Sequence, residues 1–526
     1  MTSDTAQFAA SAPAGHGVVA AADHLASAAG VEVLERGGNA VDAAIATNAA
    51  MAVVAPHLCG MGGDLLALVW ADDSVHALNA SGRAGSGASA AALRAEGHAS
   101  MPFRHDVRAV TVPGCIDGWI ALHERFGTLS LADVFAPAIR LAGAGFPASP
   151  LLTSSVAQLD DAARRNLSAF ADQATTPGAT VQLPRLARTL EVIAAGGRAA
   201  FYEGEFGAGL RELGAGWFSA DDLARSQADW VAPLSADAFG VTLHTIPPNS
   251  QGYLTLAAAR LATAVGLPDS TDDPRWAHVL IECAKQAGHE RPAVLADGAD
   301  GAALLAATDT RVSRVDPERA SPVGTATHDG DTTYLCTVDG AGMGVSLIQS
   351  NASGFGSWLA EPNTGIGLHN RGLGFSLEAG HPAELTPGKR PPHTLSPALA
   401  TRGSALAAVF GTMGGDAQPQ ILLQVAARLF NHGESPERAI FAGRWALSGP
   451  ATGFDTWSDP TQLTVSVEAD APDTWAADLT SRGHRTAVKR RYDPGFGHAH
   501  AIVVDPDGTR HAAADPRTIV GSAATT

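Results

Sequence analysis

Two adjacent threonines, Thr332 and Thr333, stand where the polar run HDGD gives way to YLCTVDG. The residues that follow are largely β-branched or aromatic and read as a strand. A hydroxyl at the head of such a strand, directly after a flexible segment ending in Asp331, suits a particular chemistry. If the connector bends, the Thr332 hydroxyl can attack the preceding carbonyl; water opens the resulting ester, and the chain is cut between Asp331 and Thr332. Thr332 then carries a free α-amine, and the ordinary pKa of such a group, about 7.7–8.0, lets it take the proton of its own hydroxyl. One residue would serve as nucleophile and base. The plainer reading is that paired threonines simply favour a strand.

Other residue patterns carry less. His498 and His500 in GHAHA are expected on one face of a strand, a spacing that suits metal ligation; no third ligand is evident, and a structural pair is the expectation. GMGGD at 60–64 lacks the G-x-G-x-x-G spacing and the preceding strand of a dinucleotide loop. His393 near Ser396 would pair a base with a serine nucleophile, but Ser-Pro is a turn element and no G-x-S-x-G elbow is present.

The elements that must position Thr332 are legible in part. Residues from about 24 to 55 read as two helices, the first ending at Gly37-Gly38 and the second, NAVDAAIATNAAMAVV, capped by Asn39. LLALVWADDSVHALNA reads as a hairpin turning at Asp72-Asp73, which puts HLCGMGGD at the mouth of a strand. The stretch from about 116 to 285 reads as mostly helical, with starts at Ser130, Ser219 and Ser250. Residues 286–331 read as a mobile connector. Beyond Thr332 come strands, including a hairpin in ALATRGSALAAVFG, and then a helix in QILLQVAARLF. Sheets covered by helices follow from this alternation.

Composition bounds the rest. The chain has 526 residues, 45% hydrophobic and 17% charged, as a globular protein requires. Its formal net charge of −18 opposes binding to nucleic acid or anionic membranes. The four cysteines are far apart, and a reducing compartment with buried thiols is expected. With no basic leader and no long apolar run, the sequence reads as cytoplasmic and not membrane-bound.

Eight segments, in order, carry a resemblance to a known family: GGNAVDAAIA (37–46), HLCGMGGD (57–64), VPGCIDGW (112–119), DTTYLCTVD (331–339), SGFGSWL (353–359), TGIGLHNRGLGFS (364–376), PGKRPPHTLSPAL (387–399) and GTMGGD (411–416). Through them the chain resembles the γ-glutamyltransferase (γ-glutamyl transpeptidase) family of N-terminal-nucleophile hydrolases. The resemblance implies an α+β fold, a four-layer αββα sandwich. It also implies self-cleavage into 1–331 and 332–526, two fragments that remain associated in one domain, with further oligomerisation left open. No metal or organic cofactor is implied, and the partner is a small-molecule amide.

Carried over residue by residue, the resemblance makes Thr332 the nucleophile and Ser350 its supporting hydroxyl. His393 and Thr394 stand where the family has paired oxyanion-holding serines, and Gly414-Gly415 match its glycine pair. The substrate-binding set is Arg371, Arg83, Asn351 and Asp416; the family's asparagine after the first hairpin matches Ala352 or, with a one-residue shift, Asn351. In the family, an arginine near Ser81 or Gly82 binds a glutamyl carboxylate, and here Arg83 is displaced. The aspartate that binds the ammonium is replaced by Gly374. Arg371 stands where a glutamine is expected and either receives a substrate carboxylate or pairs with Asp416 or another acid. NRGLGFS and TMGGDAQPQ are similar to the branch with acylases and oxamate amidohydrolase. The readings are an autoprocessed amide hydrolase or acyltransferase, a true γ-glutamyltransferase acting on glutathione, or an uncleaved binding scaffold.

Overall fold

Alternation along Thr333–Val338 separates two apolar layers. Tyr334, Cys336 and Val338 join a cluster with Ile348, Leu399, Val409 and Ile502, while Leu335 joins Val345 and Leu347 on the opposite face. A strand buried on both faces needs a packed layer on each, and here one is a second sheet and the other a layer of helices. The computed structural model, which describes residues 3–321, 332–448, 456–457 and 463–526, has this arrangement.

Two seven-stranded sheets stack face to face. In spatial order the first consists of Ala9–Ala12, Arg510–Ala513, Ala499–Val504, Ala405–Thr412, Ala398–Arg402, Val241–Thr245 and Leu234–Ala238. The second consists of Ser522–Thr525, Val18–Ala21, Thr333–Val338, Gly344–Ser350, Asp64–Ala71, Ser74–Ala80 and Asp229–Val231. Helices His24–Glu35, Ala40–Val54, Cys115–Phe126 and Leu131–Ala144 cover the second sheet; Tyr253–Val265, Pro274–Gly288 and Gln418–Ala426 cover the first. The fold is the four-layer αββα sandwich of N-terminal-nucleophile hydrolases. Residues before and after Asp331 interleave in both sheets.

Local rules explain the best-defined elements. Asn39 caps Ala40–Val54 with a reciprocal box to Asp42, and all fifteen helix residues are buried. The small side chains let this helix approach His24–Glu35 so closely that a Cβ at Gly30 would lie 2.2 Å from the Thr47 hydroxyl. Asp72 and Asp73, with φ of 50° and 54°, form the expected tight turn between the paired strands Asp64–Ala71 and Ser74–Ala80. Ser130 and Ser219 cap helices as expected.

Three expectations change. The helix placed at Ser250 begins at Tyr253, because the Ser250 hydroxyl is drawn to the Leu395 carbonyl at 2.7 Å. Three short strands, Asp229–Val231, Leu234–Ala238 and Val241–Thr245, interrupt the stretch read as helical. Much of the presumed connector is helical: Asp300 of DGADG caps Gly301–Asp309 by accepting from the Ala303 N–H. Residues 322–331, including Asp331, lie outside the described residues.

All four cysteines are free and buried. No helix among the described residues is long and apolar enough to cross a membrane.

Candidate active site

Strand register builds the site. Thr333 pairs with Gln349, so the next position outward sets Thr332 against Ser350; on the far side Ser350 pairs with Asp64. Three neighbouring strand ends therefore line up Thr332, Ser350 and Asp64 at intervals of about 4.8 Å. All three residues are buried, and the Thr332 and Ser350 hydroxyls are 3.0 Å apart. Ser350 Oγ also accepts the Ala352 N–H at 2.7 Å. Ala352 has φ of 75°, a left-handed conformation a non-glycine residue adopts at a cost of about 1 kcal/mol or more, and such residues concentrate at functional sites.

The first sheet supplies the opposite wall. Strand Val241–Thr245 ends, Ala398–Arg402 begins, Ala405–Thr412 ends and Ala499–Val504 begins in adjacent register. The segments just beyond carry Gln251, His393-Thr394, Gly414-Gly415 and His498. Gln251 donates from one amide nitrogen to the Thr394 carbonyl at 2.9 Å and the Gly415 carbonyl at 3.0 Å, tying the threonine segment to the glycine turn. Gly414 has φ of 136° and Gly415 φ of 53°, so this turn demands glycine twice. Neither N–H donates a hydrogen bond among the described residues.

Asp64 joins the two walls. Its Oδ2 accepts from Arg371 Nε at 2.6 Å and His393 Nε2 at 3.0 Å, and His369 Nδ1 lies 3.4 Å away. Arg371 Nη1 in turn donates to Thr394 Oγ1 at 3.1 Å. Burial alone would push the Asp64 carboxyl up, but Arg371 and His393 outweigh it and hold the group well below the usual carboxylate range. Arg371 Nη2 is buried without a hydrogen-bond partner among the described residues. Arg371 lines a pocket of about 270 Å³, together with Ala352, Gly374, Thr394 and Arg291.

The assigned residues thus divide. Thr332, Ser350, Thr394 and Arg371 converge, with the Gly414-Gly415 turn held against Thr394. His393 is near but committed: its Nδ1 accepts the Leu395 N–H, so the proton on Nε2 goes to Asp64 and is not available to an oxyanion. Arg83 is turned away, paired with Asp229 beside Arg390, which also binds Asp229 at 2.6 Å. Asn351 donates to the Pro56 carbonyl at 3.1 Å and borders a separate apolar cavity of about 230 Å³; Ala352 takes its place at the pocket. Asp416 pairs with Arg291 at 3.0 Å, and the acid beside Arg371 is Asp64.

The sequence reading did not single out Asp64, His369, Gln251 or Arg291. Asp64 and His369 lie inside two of the quoted segments, and strand pairing of HLCGMGGD with the segment after Thr332 is the signal that would have found Asp64.

His498 and His500 belong to no group of three metal-ligating side chains among the described residues. His498 precedes its strand, while His500 accepts the Asp515 N–H at 3.1 Å and stacks with Tyr334. One other cluster, His278, Glu282 and His484, has metal-like geometry among the described residues. Its atoms are already used: His278 Nε2 donates to the Asp316 carbonyl, His484 Nε2 donates to His278 Nδ1 at 2.8 Å, and the Lys285 ammonium sits 2.7 Å from Glu282. The lysine is the cation of that cluster.

Five buried imidazoles make the fold acid-sensitive. Burial, the largest cause at each, lowers His484 to about 2, His57 and His500 to about 3, and His393 and His498 to about 4, from 6.5. Their folded values lie below the unfolded one, so between these limits the unfolded chain takes up protons the folded chain refuses. Stability should therefore fall as pH falls below about 6.5, by about 1.4 kcal/mol per pH unit for each imidazole. Urea midpoints measured from about pH 7 to about pH 4 should give an uptake of about four to five protons. A flat profile would contradict these burials.

The chain matches the family model described as Gamma-glutamyltranspeptidase over residues 26–525. It is 35% identical to a glutathione hydrolase-like proenzyme of Bacillus subtilis (strain 168), covering 95% of this chain and 97% of the relative. It is 33% identical to the oxamate amidohydrolase proenzyme of Klebsiella pneumoniae subsp. pneumoniae, covering 96% and 97%. A cephalosporin acylase structure from Bacillus halodurans superposes with a TM-score of 0.88 at 34% identity, covering 98% and 96%. With its fold, its eight segments and these relatives in agreement, the chain belongs to the gamma-glutamyltranspeptidase family of enzymes.

Proposed function

We propose that the chain is a precursor cut between Asp331 and Thr332, and that the product is an N-terminal-threonine amidohydrolase or acyltransferase for a small acyl group. The observation that carries this reading is the buried Thr332–Ser350 hydroxyl pair at 3.0 Å, two residues along the chain from Ala352, which borders the pocket. After cleavage the Thr332 α-amine takes the proton of the Thr332 hydroxyl as Oγ1 attacks the substrate carbonyl carbon. The Gly414 and Gly415 N–H groups, with Thr394, face the negative oxygen that forms; one such donor contributes about 3–4 kcal/mol. As the C–N bond breaks, the ammonium returns its proton to the leaving amine. Water, or a second amine, attacks the ester to release the acyl group and restore the hydroxyl.

The pocket favours a compact acyl group bearing an oxygen acceptor for Arg371 Nη2. A γ-glutamyl head requires a carboxylate clamp and an ammonium clamp. Arg83 is spent on Asp229, Gly374 offers no carboxylate, and Arg371 is already neutralised by Asp64. The relatives named for oxamate and for acylase activity support this preference.

The test compares amine release from oxamate and other simple acyl amides with release from γ-glutamyl-p-nitroanilide. The expected result is a kcat/KM at least about tenfold higher for a simple amide, equivalent to 1.4 kcal/mol in the barrier. A preference for the γ-glutamyl compound that disappears in Arg83→Gln would overturn the assignment of the pocket.

A further inference from the structure

Behind the segment that follows Ser350 lies a second cavity, of about 230 Å³. It is separate from the acyl pocket: Ala352 borders the pocket, and its neighbour Asn351 borders this cavity. The proposed reaction makes no use of it. Its walls are mainly apolar, with Cys59, Met61, Leu167 and Ile366 beside Phe170 and Phe355, whose rings stack 13° from parallel with centroids 5.3 Å apart. A cavity of about 150 Å³ with such walls stays dry and takes up benzene, so this one has room for a benzene ring with a short substituent at each end.

Two glycines show that the space is real. A Cβ built on Gly60 would meet the Asn351 amide at 3.6 Å, and one on Gly367 would meet only Leu167, at 3.7 Å; both are ordinary contacts, so each glycine faces open room in the cavity wall.

Two polar groups mark its inner end and its mouth. Asn351 is 3% exposed, and its amide nitrogen donates to the Pro56 carbonyl at 3.1 Å, which fixes the orientation of the side chain. Its Oδ1 is left buried with no hydrogen-bond partner among the described residues. Folding does not explain an acceptor left in this way, and a ligand hydroxyl satisfies it. At the mouth, Arg185 is exposed, and its Nη1 would lie 3.9 Å from a Cβ on Gly365, another residue of the cavity wall. Nη1 reaches only the Pro362 and Asn363 carbonyls, at 3.5 Å each, and no acid pairs with Arg185 among the described residues.

We propose that this cavity is a binding site for a small aromatic acid with a hydrogen-bond donor on its ring, in the simplest case a phenol. The ring lies against Phe170 and Phe355, where aromatic faces and edges pack well. The phenol O–H donates to Asn351 Oδ1, and the carboxylate stays at the mouth beside Arg185. The occupant touches Asn351, between Ser350 and Ala352, yet remains outside the acyl pocket. Its binding therefore requires neither cleavage at Thr332 nor turnover.

Calorimetric titration of the purified protein with para-hydroxyphenylacetate should give a dissociation constant of about 1 mM or tighter. Phenylacetate lacks the donor and para-hydroxyphenylethanol lacks the charge; each should bind at least about fivefold more weakly. Arg185→Gln should bring the acid and the alcohol to the same affinity. Gly367→Leu, which puts a side chain into the cavity, should abolish binding of all three. Melting curves establish that each variant is folded, and the exposed position of Arg185 keeps one test independent of core substitutions. Binding of the phenolic acid weaker than about 1 mM, equal binding of phenylacetate, a preference for the acid that survives in Arg185→Gln, or unchanged affinity in folded Gly367→Leu would each overturn the assignment.

Discussion

Thr332→Ala is expected to leave a single chain of 526 residues that neither cuts itself nor releases amine from any amide the wild-type protein hydrolyses. The loss should be at least about 10⁴-fold, because one hydroxyl performs both the maturation step and the attack, and removing a nucleophile that works as a unit with its base removes nearly all the chemistry. Folding should survive. Thr332 is 1% exposed, but alanine deletes only a methyl and a hydroxyl whose partner, Ser350 Oγ, keeps the Ala352 N–H. The expected cost is about 1 kcal/mol, or a few degrees of melting temperature. Thr332→Ser supplies the comparison: the hydroxyl remains, so cleavage and measurable turnover should remain. A Thr332→Ala protein that retains activity would remove Thr332 from the mechanism, and one that fails to fold would be recognised from its melting curve.

The second large effect is expected at Asp64. Asp64→Asn removes the charge that Arg371 and His393 share, leaving a guanidinium 2% exposed with no counter-ion. Breaking a buried pair from one side costs about 3–5 kcal/mol, chiefly through the uncompensated charge left behind. Function should fall as well under the proposed mechanism, because Arg371 Nη1 donates to Thr394 Oγ1 and Thr394 is proposed to face the oxyanion. A hundredfold drop in kcat is the expected order, comparable to the loss of one oxyanion donor. The double variant Asp64→Asn/Arg371→Met separates the two effects. Removing both charges should restore part of the stability without restoring turnover, the coupling expected of residues in direct contact. If Asp64→Asn costs less than about 1 kcal/mol, the buried ionic hub has been misread.

Sequence alone carried the layer architecture and named the residues at the centre of the candidate site, and what it missed shares a cause. Thr332 was legible from the local pattern at the head of a strand and Ser350 through the family resemblance, and the short turn between their strands brings the two hydroxyls together. Asp64 stood in a quoted segment, yet its role depends on an arginine 307 residues away, a distance that local propensity cannot bridge. Arg83 entered the substrate set through the resemblance, and its ion pair with Asp229 was hidden because Asp229 begins a three-residue strand in a region read as helical. LSADA and VTLHT are too short and too polar to signal strands, but sheet pairing with Ala398–Arg402 fixes them. Asp300 was read as part of a loop because DGADG is turn-like in composition, although an aspartate ahead of an alanine-rich run is also a helix cap. His393 was given an oxyanion role by position alone, and the Leu395 N–H at its Nδ1 directs the other nitrogen to Asp64.

The interleaving of the two parts of the chain also bears on the fate of a cut protein. Strand Thr333–Val338 pairs on one side with Val18–Ala21 and on the other with Gly344–Ser350, so fragments meeting at 331/332 would remain locked in shared sheets. Separation would strip apolar residues from both faces of the central strand, at about 1.5–3 kcal/mol for each large side chain.

Sequencing the amino termini of purified, active wild-type protein tests the central claim most directly. Two sequences are expected, one from the start of the chain and one reading Thr-Thr-Tyr-Leu-Cys from Thr332, in equal amounts and co-migrating under native conditions. Active protein with a single amino terminus and an intact bond between residues 331 and 332 would contradict the account.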